Sequence, residues 1–280
     1  MTDGAAELSG ALGPERRIEG WPNLVEVARL AQGVHVTVML SHRTRFPPND
    51  LLNRLVNDPA HLPENLLNES EYPSLERQRN LNVIIVECLP KTMIELLQTV
   101  GEVAKHLEYN AFAVGGFVRD LLLKKPNLDL DVVVEGDGII FAKALAAHLG
   151  GRYRTHERFK TAVVLLPNGF KIDIATARLE YYEYPAAMPT VELSSIKLDL
   201  SRRDFTINAM AIHLNPEHFG TLIDFFNCQN DLKKKIIKVL HNLSFVDDPT
   251  RILRAARFEA RLGFHLDTQS ESLIAEALPL

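Results

Sequence analysis

Apolar positions change period several times along the chain. Over residues 91–109, Met93, Ile94, Leu96, Leu97, Val100, Val103, Ala104 and Leu107 recur at helical spacing and predict a helix. From Ala111 the pattern becomes Ala-Phe-Ala-Val, then Gly115-Gly116, then Phe-Val-Arg-Asp, then the alternating run Leu-Asp-Leu-Asp-Val-Val-Val-Glu ending at Glu135. That order reads as strand, glycine turn, short helix and second strand. Residues 139–149 are apolar, Ala-rich and closed by Gly150-Gly151, a helix with a glycine stop. Strands are predicted over 152–155, 162–166 and 170–176. The last two are joined by Pro167-Asn168-Gly169, whose Asn-Gly pair is a hairpin signal.

Farther on, residues 178–200 contain Pro185 and Pro189 and read as a long functional loop. A helix is expected over 205–214, a strand over 221–226, a short basic helix over 231–235 and a strand over 236–240. Asp248-Pro249 opens a helix through Leu262, with an acidic cap and proline in the first turn. It carries Arg251, Arg254, Arg257 and Arg261 at helical spacing. Upstream, residues 81–87 read as a strand, and 25–40 as a helix followed by a strand. Pro47, Pro48, Pro59, Pro63 and Pro73 break longer helices. Residues 1–20 have no period and read as a mobile tail. His35, His42 and His61 have no carboxylate at ligand spacing.

Composition narrows the class. Of 280 residues, 46% are hydrophobic, enough for a substantial core. The net charge of −5 gives no global attraction to nucleic acid, so any RNA partner must meet a local basic patch. Cys88 and Cys228 form no CxxC or zinc spacing and read as free thiols in a reducing compartment. No run of 18 apolar residues predicts a membrane span, and the start, Met-Thr-Asp-Gly-Ala-Ala-Glu, is not that of a signal peptide. The expected location is the cytoplasm, with no membrane partner.

The candidate chemistry lies in three carboxylates. Asp129 and Asp131 are two apart on a strand-like run, so alternation puts both on one face, with Leu128, Leu130 and Val132 toward the core. Asp173 repeats the parity in Lys-Ile-Asp-Ile. Like charges at that distance call for a cation between them, and oxygen ligands suit Mg²⁺. Three such carboxylates on adjacent strands would hold two ions. Gly115-Gly116, between strand and helix, would offer backbone N–H groups to phosphate. An Asp-x-Asp pair alone more often marks a polar strand edge; the set of glycines, Arg119-Asp120 and Asp129-x-Asp131 is far more specific.

These residues resemble the nucleotidyltransferase head of the class II tRNA nucleotidyltransferase and bacterial poly(A) polymerase family, within the DNA polymerase β superfamily. The likeness runs from Val114 to Glu135 and from Lys171 to Arg178. It continues through Arg202-Arg203-Asp204-Phe205-Thr206-Ile207-Asn208-Ala209-Met210-Ala211, Leu222-Ile223-Asp224-Phe225-Phe226, Asp231-Leu232, and Asp247-Asp248-Pro249-Thr250-Arg251-Ile252-Leu253-Arg254-Ala255, covering roughly residues 91–267. It implies an α+β fold, a mixed, largely antiparallel sheet flanked by helices and followed by the start of a helical neck. It also implies that Asp129, Asp131 and Asp173 ligate two Mg²⁺ ions. Gly115, Gly116 and Arg119 would hold the triphosphate, and Arg203, Asp204 and Asn208 the ribose and phosphates. Asp248 and Arg251 would read the base edge, while Arg254 and Arg257 would face RNA.

The family usually has Glu at the position of Asp247, a departure that bears on nucleotide choice. Its members continue into neck, body and tail helices, whereas this chain ends at Leu280, so a fragment, a partner-dependent activity or a weak one is expected. The expected organisation is an N-terminal region over 1–89 with no assigned role, a catalytic head over 90–225, and a hinge with the start of an RNA- and nucleotide-binding neck over 226–280. The implied activity is addition of CMP or AMP from CTP or ATP to an RNA 3′ end, most naturally that of tRNA, or poly(A) tailing. The alternative is a non-catalytic RNA- or nucleotide-binding fragment. An Asp-x-Asp glycosyltransferase would not account for Arg203-Asp204 or the glycine turn.

Overall fold

The computed structural model describes residues 79–181 and 190–278, with side chains except at 179–181, 190 and 191. All belong to one compact unit, 44–280. The expectations for the tail, for 25–40, for the prolines before residue 79 and for His35, His42 and His61 lie outside the described residues.

The centre is an eight-stranded sheet. Its strands are β1 (Arg79–Asn80), β2 (Asn110–Val114), β3 (Leu130–Glu135), β4 (Arg152–His156), β5 (Thr161–Leu165), β6 (Lys171–Thr176), β9 (Ala211–His213) and β10 (Thr221–Ile223), while β7 (Arg178–Tyr181) and β8 (Thr190–Leu193) form a separate hairpin. The spatial order is β1-β10-β9-β2-β3-β6-β5-β4. Every pairing is antiparallel except β3 with β6, which run parallel. The fold is α+β, as expected. The parallel pair needs a crossover, and helix Gly138–His148 supplies it together with the β4–β5 hairpin.

Period-two alternation sets which side is core. Leu130, Val132, Ile172, Ile174, Ala162 and Val164 are buried. Phe141, Ala142 and Leu145 of helix Gly138–His148, which packs against β5 and β6, are buried as well. Asp137 caps that helix, its carboxylate accepting from Ile139 N–H (2.8 Å) and Ile140 N–H (3.0 Å). The helix over Lys91–His106 packs on β2 through Met93, Leu97, Val100 and Ala104, the period read from sequence.

Three expectations are corrected. Residues 81–87 are not a strand: helix Asn82–Cys88 runs there. Only Leu81 and Ile85 of that run are fully buried, four apart, whereas Val83 and Val86 are exposed; the tertiary contacts thus follow helical spacing and override the β-branched composition. Residues 205–214 are not one helix but a 3₁₀ turn at Thr206–Asn208 followed by β9. That run is buried throughout, so its period carries no information about helix or strand. Residues 178–200 are not one loop: within them lie β7, β8 and the start of helix Ile196–Ser201.

Gly101 marks the tightest helix contact on this frame. A Cβ there would sit 1.8 Å from the carbonyl oxygen of Leu214. Gly101→Ala must lift the helix off the backbone following β9, with an expected loss of about 2 kcal/mol or more by urea denaturation. Wild-type stability would contradict this packing.

Candidate active site

The site forms where β2, β3 and β6 lie side by side. Asp131 on β3 is the direct cross-strand partner of Asp173 on β6. In paired strands such residues share a face, and the buried neighbours Leu130, Val132, Ile172 and Ile174 confirm that both carboxylates lie on the opposite side from the core. Asp129 stands one residue ahead of β3 and is exposed. Its N–H donates to the Asn127 side-chain oxygen at 2.8 Å, which fixes its approach to the strand. Leu128, expected in the core, is 49% exposed, because the strand starts only at Leu130.

Burial pushes the Asp131 carboxyl up to about 6. Asp129 and Asp173 add to the rise, and Arg203 opposes it. Asp173 also has Lys171 Nζ at 3.5 Å. The three carboxylates are therefore electrostatically linked, although among the described residues no three acidic, histidine or cysteine side chains close into a preformed metal cage.

Gly115 closes β2 and precedes the short helix Gly116–Leu122. Its φ of +68° and ψ of −129° are strained for any residue with a side chain. A Cβ there would approach Arg203 Nη1 to 3.0 Å and Asp131 Oδ2 to 3.8 Å. Gly115, Asp131 and Arg203, far apart in sequence, thus surround one spot. Arg203 is anchored from behind by Asp199, whose Oδ2 accepts from its Nη2 at 3.0 Å. Asp199 is fully buried and also accepts from Arg202 Nη2 at 2.6 Å. Burial raises the Asp199 carboxyl, but Arg203 and Arg202 outweigh that and hold it below the usual carboxylate range. Arg203 Nε is buried without a hydrogen-bond partner among the described residues.

Arg119, Asp204 and Asn208 come together in a buried polar chain. Arg119 forks onto Asp120 (Nε–Oδ1 2.8 Å, Nη2–Oδ2 2.9 Å) and donates Nη1 to Asn208 Oδ1 at 2.7 Å. Asn208 Nδ2 donates to Asp204 Oδ1 at 3.0 Å. Asp204 Oδ2 accepts from Arg254 Nε (2.9 Å) and Nη2 (2.5 Å) on helix Thr250–Leu262. At the other end Asn127 Nδ2 donates to Asp120 Oδ2 at 2.8 Å. The loop that positions Asp129 is thereby linked to helix Thr250–Leu262 through side-chain hydrogen bonds alone. Phe258 lies beneath both guanidinium groups, 5.4 Å from Arg119 and 5.8 Å from Arg254.

Asp248 and Arg251 sit at the start of that helix. Asp248 Oδ1 accepts from Thr250 N–H (3.0 Å) and Oγ1–H (2.6 Å). Arg251 is buried and donates Nη1 to Ser244 Oγ (2.6 Å) and Nη2 to the Arg202 carbonyl (2.9 Å). Asp248 and Arg251 themselves meet at 3.9 Å. Arg254 is bound to Asp204 and Arg261 pairs with Asp120 at 3.7 Å, whereas Arg257 is exposed. Cys88 and Cys228 are free, Cys88 half-buried and Cys228 buried.

Sequence reasoning did not single out Asp199, Asn127 or Ser244. Asp199 had a usable signal: it stands three and four residues before Arg202 and Arg203, the spacing of helical ion pairs. The other two act through tertiary contacts that no local pattern marks.

With this geometry established, the comparisons are specific. The Poly A polymerase head domain matches residues 111–238. An A-adding tRNA nucleotidyltransferase of Geobacter sulfurreducens is 53% identical over 204 residues, 73% of this chain and 23% of that protein. Another from Halalkalibacterium halodurans is 44% identical over 200 residues, 71% and 47% of the two chains. A structure of the Thermotoga maritima CCA-adding enzyme complexed with tRNA-CCA superposes with a TM-score of 0.64 at 47% identity, over 71% of this chain and 45% of that one. The chain thus spans about a quarter to a half of the length of the relatives it matches.

Two outcomes check the site. Arg119→Met leaves Asp120 buried without its bidentate partner, with an expected loss of about 3 kcal/mol in urea denaturation; a stability equal to wild type would contradict the buried chain. Asp247, next to Asp248, is pushed up to about 6 by burial, with Arg251 opposing. Its folded form takes up a proton more readily than the unfolded chain. The stability cost of ionising it therefore grows from about pH 4 and is complete above about pH 6. Asp247→Asn should raise the melting temperature near pH 7.5 and leave it unchanged near pH 4; equal shifts at both would contradict this.

Proposed function

We propose, from the match of residues 111–238 to the Poly A polymerase head domain, that this chain is a template-independent RNA nucleotidyltransferase. It would add AMP from ATP, or CMP from CTP, to an RNA 3′-hydroxyl. The observation that carries this reading is the in-register Asp131–Asp173 pair beside the Gly115 turn and Arg203. Addition of A to tRNA is favoured over poly(A) tailing, because the two relatives described above are both A-adding. The natural setting for such chemistry is the cytoplasm. We assign catalysis to residues 90–225 and the hinge and start of the neck to 226–280, and no role to 1–89.

The donor set fits Mg²⁺: it is all oxygen, and Asp131 is pushed up by burial and by two like charges that a divalent cation would relieve. Asp129, Asp131 and Asp173 would hold it, and it would supply acidification of the 3′-hydroxyl and neutralisation of triphosphate charge. The remaining work falls to the chain. The bare Gly115 backbone lets a phosphate approach Asp131 and Arg203 closely. Arg203 adds positive charge, kept in place by Asp199. Asp248 and Arg251 meet the base edge from positions fixed by Thr250, Ser244 and Arg202. Arg119, Asp204 and Asn208 hold helix Thr250–Leu262 against helix Gly116–Leu122; exchange of those bonds on nucleotide entry would bring them to ribose and phosphate. The 3′-oxygen bonds to the α-phosphorus as the bond to the bridging oxygen breaks, pyrophosphate leaves, and the hydroxyl proton passes to solvent. Positioning and charge stabilisation carry most of the acceleration.

The test is incubation of the whole chain with Mg²⁺, ATP or CTP, and tRNAs ending before CCA, at CC, or an unrelated RNA. Extension of the CC-ending tRNA by one A is expected, and Asp131→Ala should reduce it at least about a hundredfold while leaving the circular dichroism spectrum intact. Near-wild-type activity in that variant would overturn the reading. Nucleotide binding with no extension of any RNA would favour a non-catalytic binding module.

A further inference from the structure

The site has two sides, and they differ in charge. Gly115 and Arg203 approach Asp131 from the β2 side of β3. With a triphosphate on that side, the opposite side, over β6, β5 and β4, is where the acceptor would lie. On that side the register forms one cross-strand row: Asp131 pairs with Asp173, Asp173 with Val163, and Val163 with Arg154. A second row runs from Lys171 to Leu165 to Arg152. Residues paired across strands share a face, so Arg152 and Arg154 stand on the face that carries the two carboxylates. The alternating residues, Ala162 and Val164, are buried on the other.

β4 is the terminal strand of the sheet, and both arginines are exposed. Neither side chain has a hydrogen bond or ion pair among the described residues. The segment 152–160 holds Arg152, Arg154, Arg158 and Lys160 against the single carboxylate Glu157. This contrasts with helix Thr250–Leu262, whose Arg254 and Arg261 are bound to Asp204 and Asp120. Leu165, between Lys171 and Arg152, is 44% exposed, an apolar surface within a basic frame. Arg154 lies about 10 Å from Asp173, two strand spacings away, and the two arginines are about 7 Å apart along the strand. That spacing lets each meet one of two successive phosphates.

We propose that Arg152 and Arg154 on the edge strand β4 form the track that holds backbone phosphates of the single-stranded 3′ end of the acceptor RNA as it enters over Asp173. The proposal rests on the RNA nucleotidyl-transfer reading above and names where that substrate docks. It also supplies the local basic patch that a chain of net charge −5 needs to meet RNA.

The test uses the whole chain and a fluorescein-labelled single-stranded RNA ending in CC. Anisotropy gives its affinity as a function of salt, equilibrium dialysis gives ATP binding, and gel extension gives activity. Arg152→Ala/Arg154→Ala should weaken RNA binding about tenfold near 0.1 M salt and flatten the slope of log K against log salt by about 1.4, or 0.7 per lost phosphate contact. ATP binding should stay within twofold. Arg152→Lys/Arg154→Lys should restore most of the slope, which a purely structural role would not. Unchanged RNA affinity and slope in the alanine variant would overturn the track and leave the arginines as guards against edge-to-edge aggregation. Absence of RNA binding by the wild-type chain would also overturn it. Wild-type binding with the expected slope but no extension would uphold the track and overturn the catalytic reading instead.

Discussion

The structure turns on the repulsion between two carboxylates set side by side. Parallel pairing of β3 and β6 fixes Asp131 opposite Asp173. With Asp131 half-buried, each like charge costs more than it would in water. The protein offsets part of this with Arg203, and Arg203 stays in place because the buried Asp199 holds it. The glycine turn belongs to the same constraint. A Cβ there would crowd Arg203 Nη1 at 3.0 Å, and the φ of +68° favours glycine. Charge, backbone conformation and sheet register are thus three expressions of one local problem, and a deficit of positive charge remains.

A second layer keeps that site aligned with the helix beyond it. The chain of bonds from Asn127 through Asp120, Arg119, Asn208 and Asp204 to Arg254 contains alternating charges and amides, with Arg119, Asp120 and Asn208 all buried. A satisfied buried network of this kind specifies one arrangement of the elements it joins. Here it joins the loop carrying Asp129 to the helix that begins with Asp248 and Arg251. The group that would meet the base and the group that would meet the metal are held in one frame, although more than a hundred residues separate them in sequence.

Much of this was legible beforehand. The alternation around Asp131 and Asp173 predicted both strands and their polar positions, because Leu130, Val132, Ile172 and Ile174 are buried while the two aspartates between them are not. The Asn-Gly hairpin between β5 and β6 and the helices over 91–106 and 250–262 followed from turn chemistry and period. Legibility failed where burial was complete or tertiary contacts ruled. Residues 205–214 are buried on all sides, so nothing in their pattern distinguished β9 from a helix. Val83 and Val86 are exposed on a helix whose apolar contacts come from Leu81, Ile85, Ile84 and Cys88. In the site, the residue types were readable but their pairings were not: Arg119, Asn208 and Asp204 form one hydrogen-bonded chain, which no local pattern marks.

Negative charge at Asp131 and Asp173, only partly offset by Arg203 and Lys171, is the central feature of the site. Isothermal titration of Mg²⁺ into the whole chain, compared with Asp131→Asn and Asp173→Asn, tests it most directly. Saturable binding by the wild-type chain, weakened in each variant, is the predicted result. No Mg²⁺ binding, or binding that survives both substitutions unchanged, would contradict it.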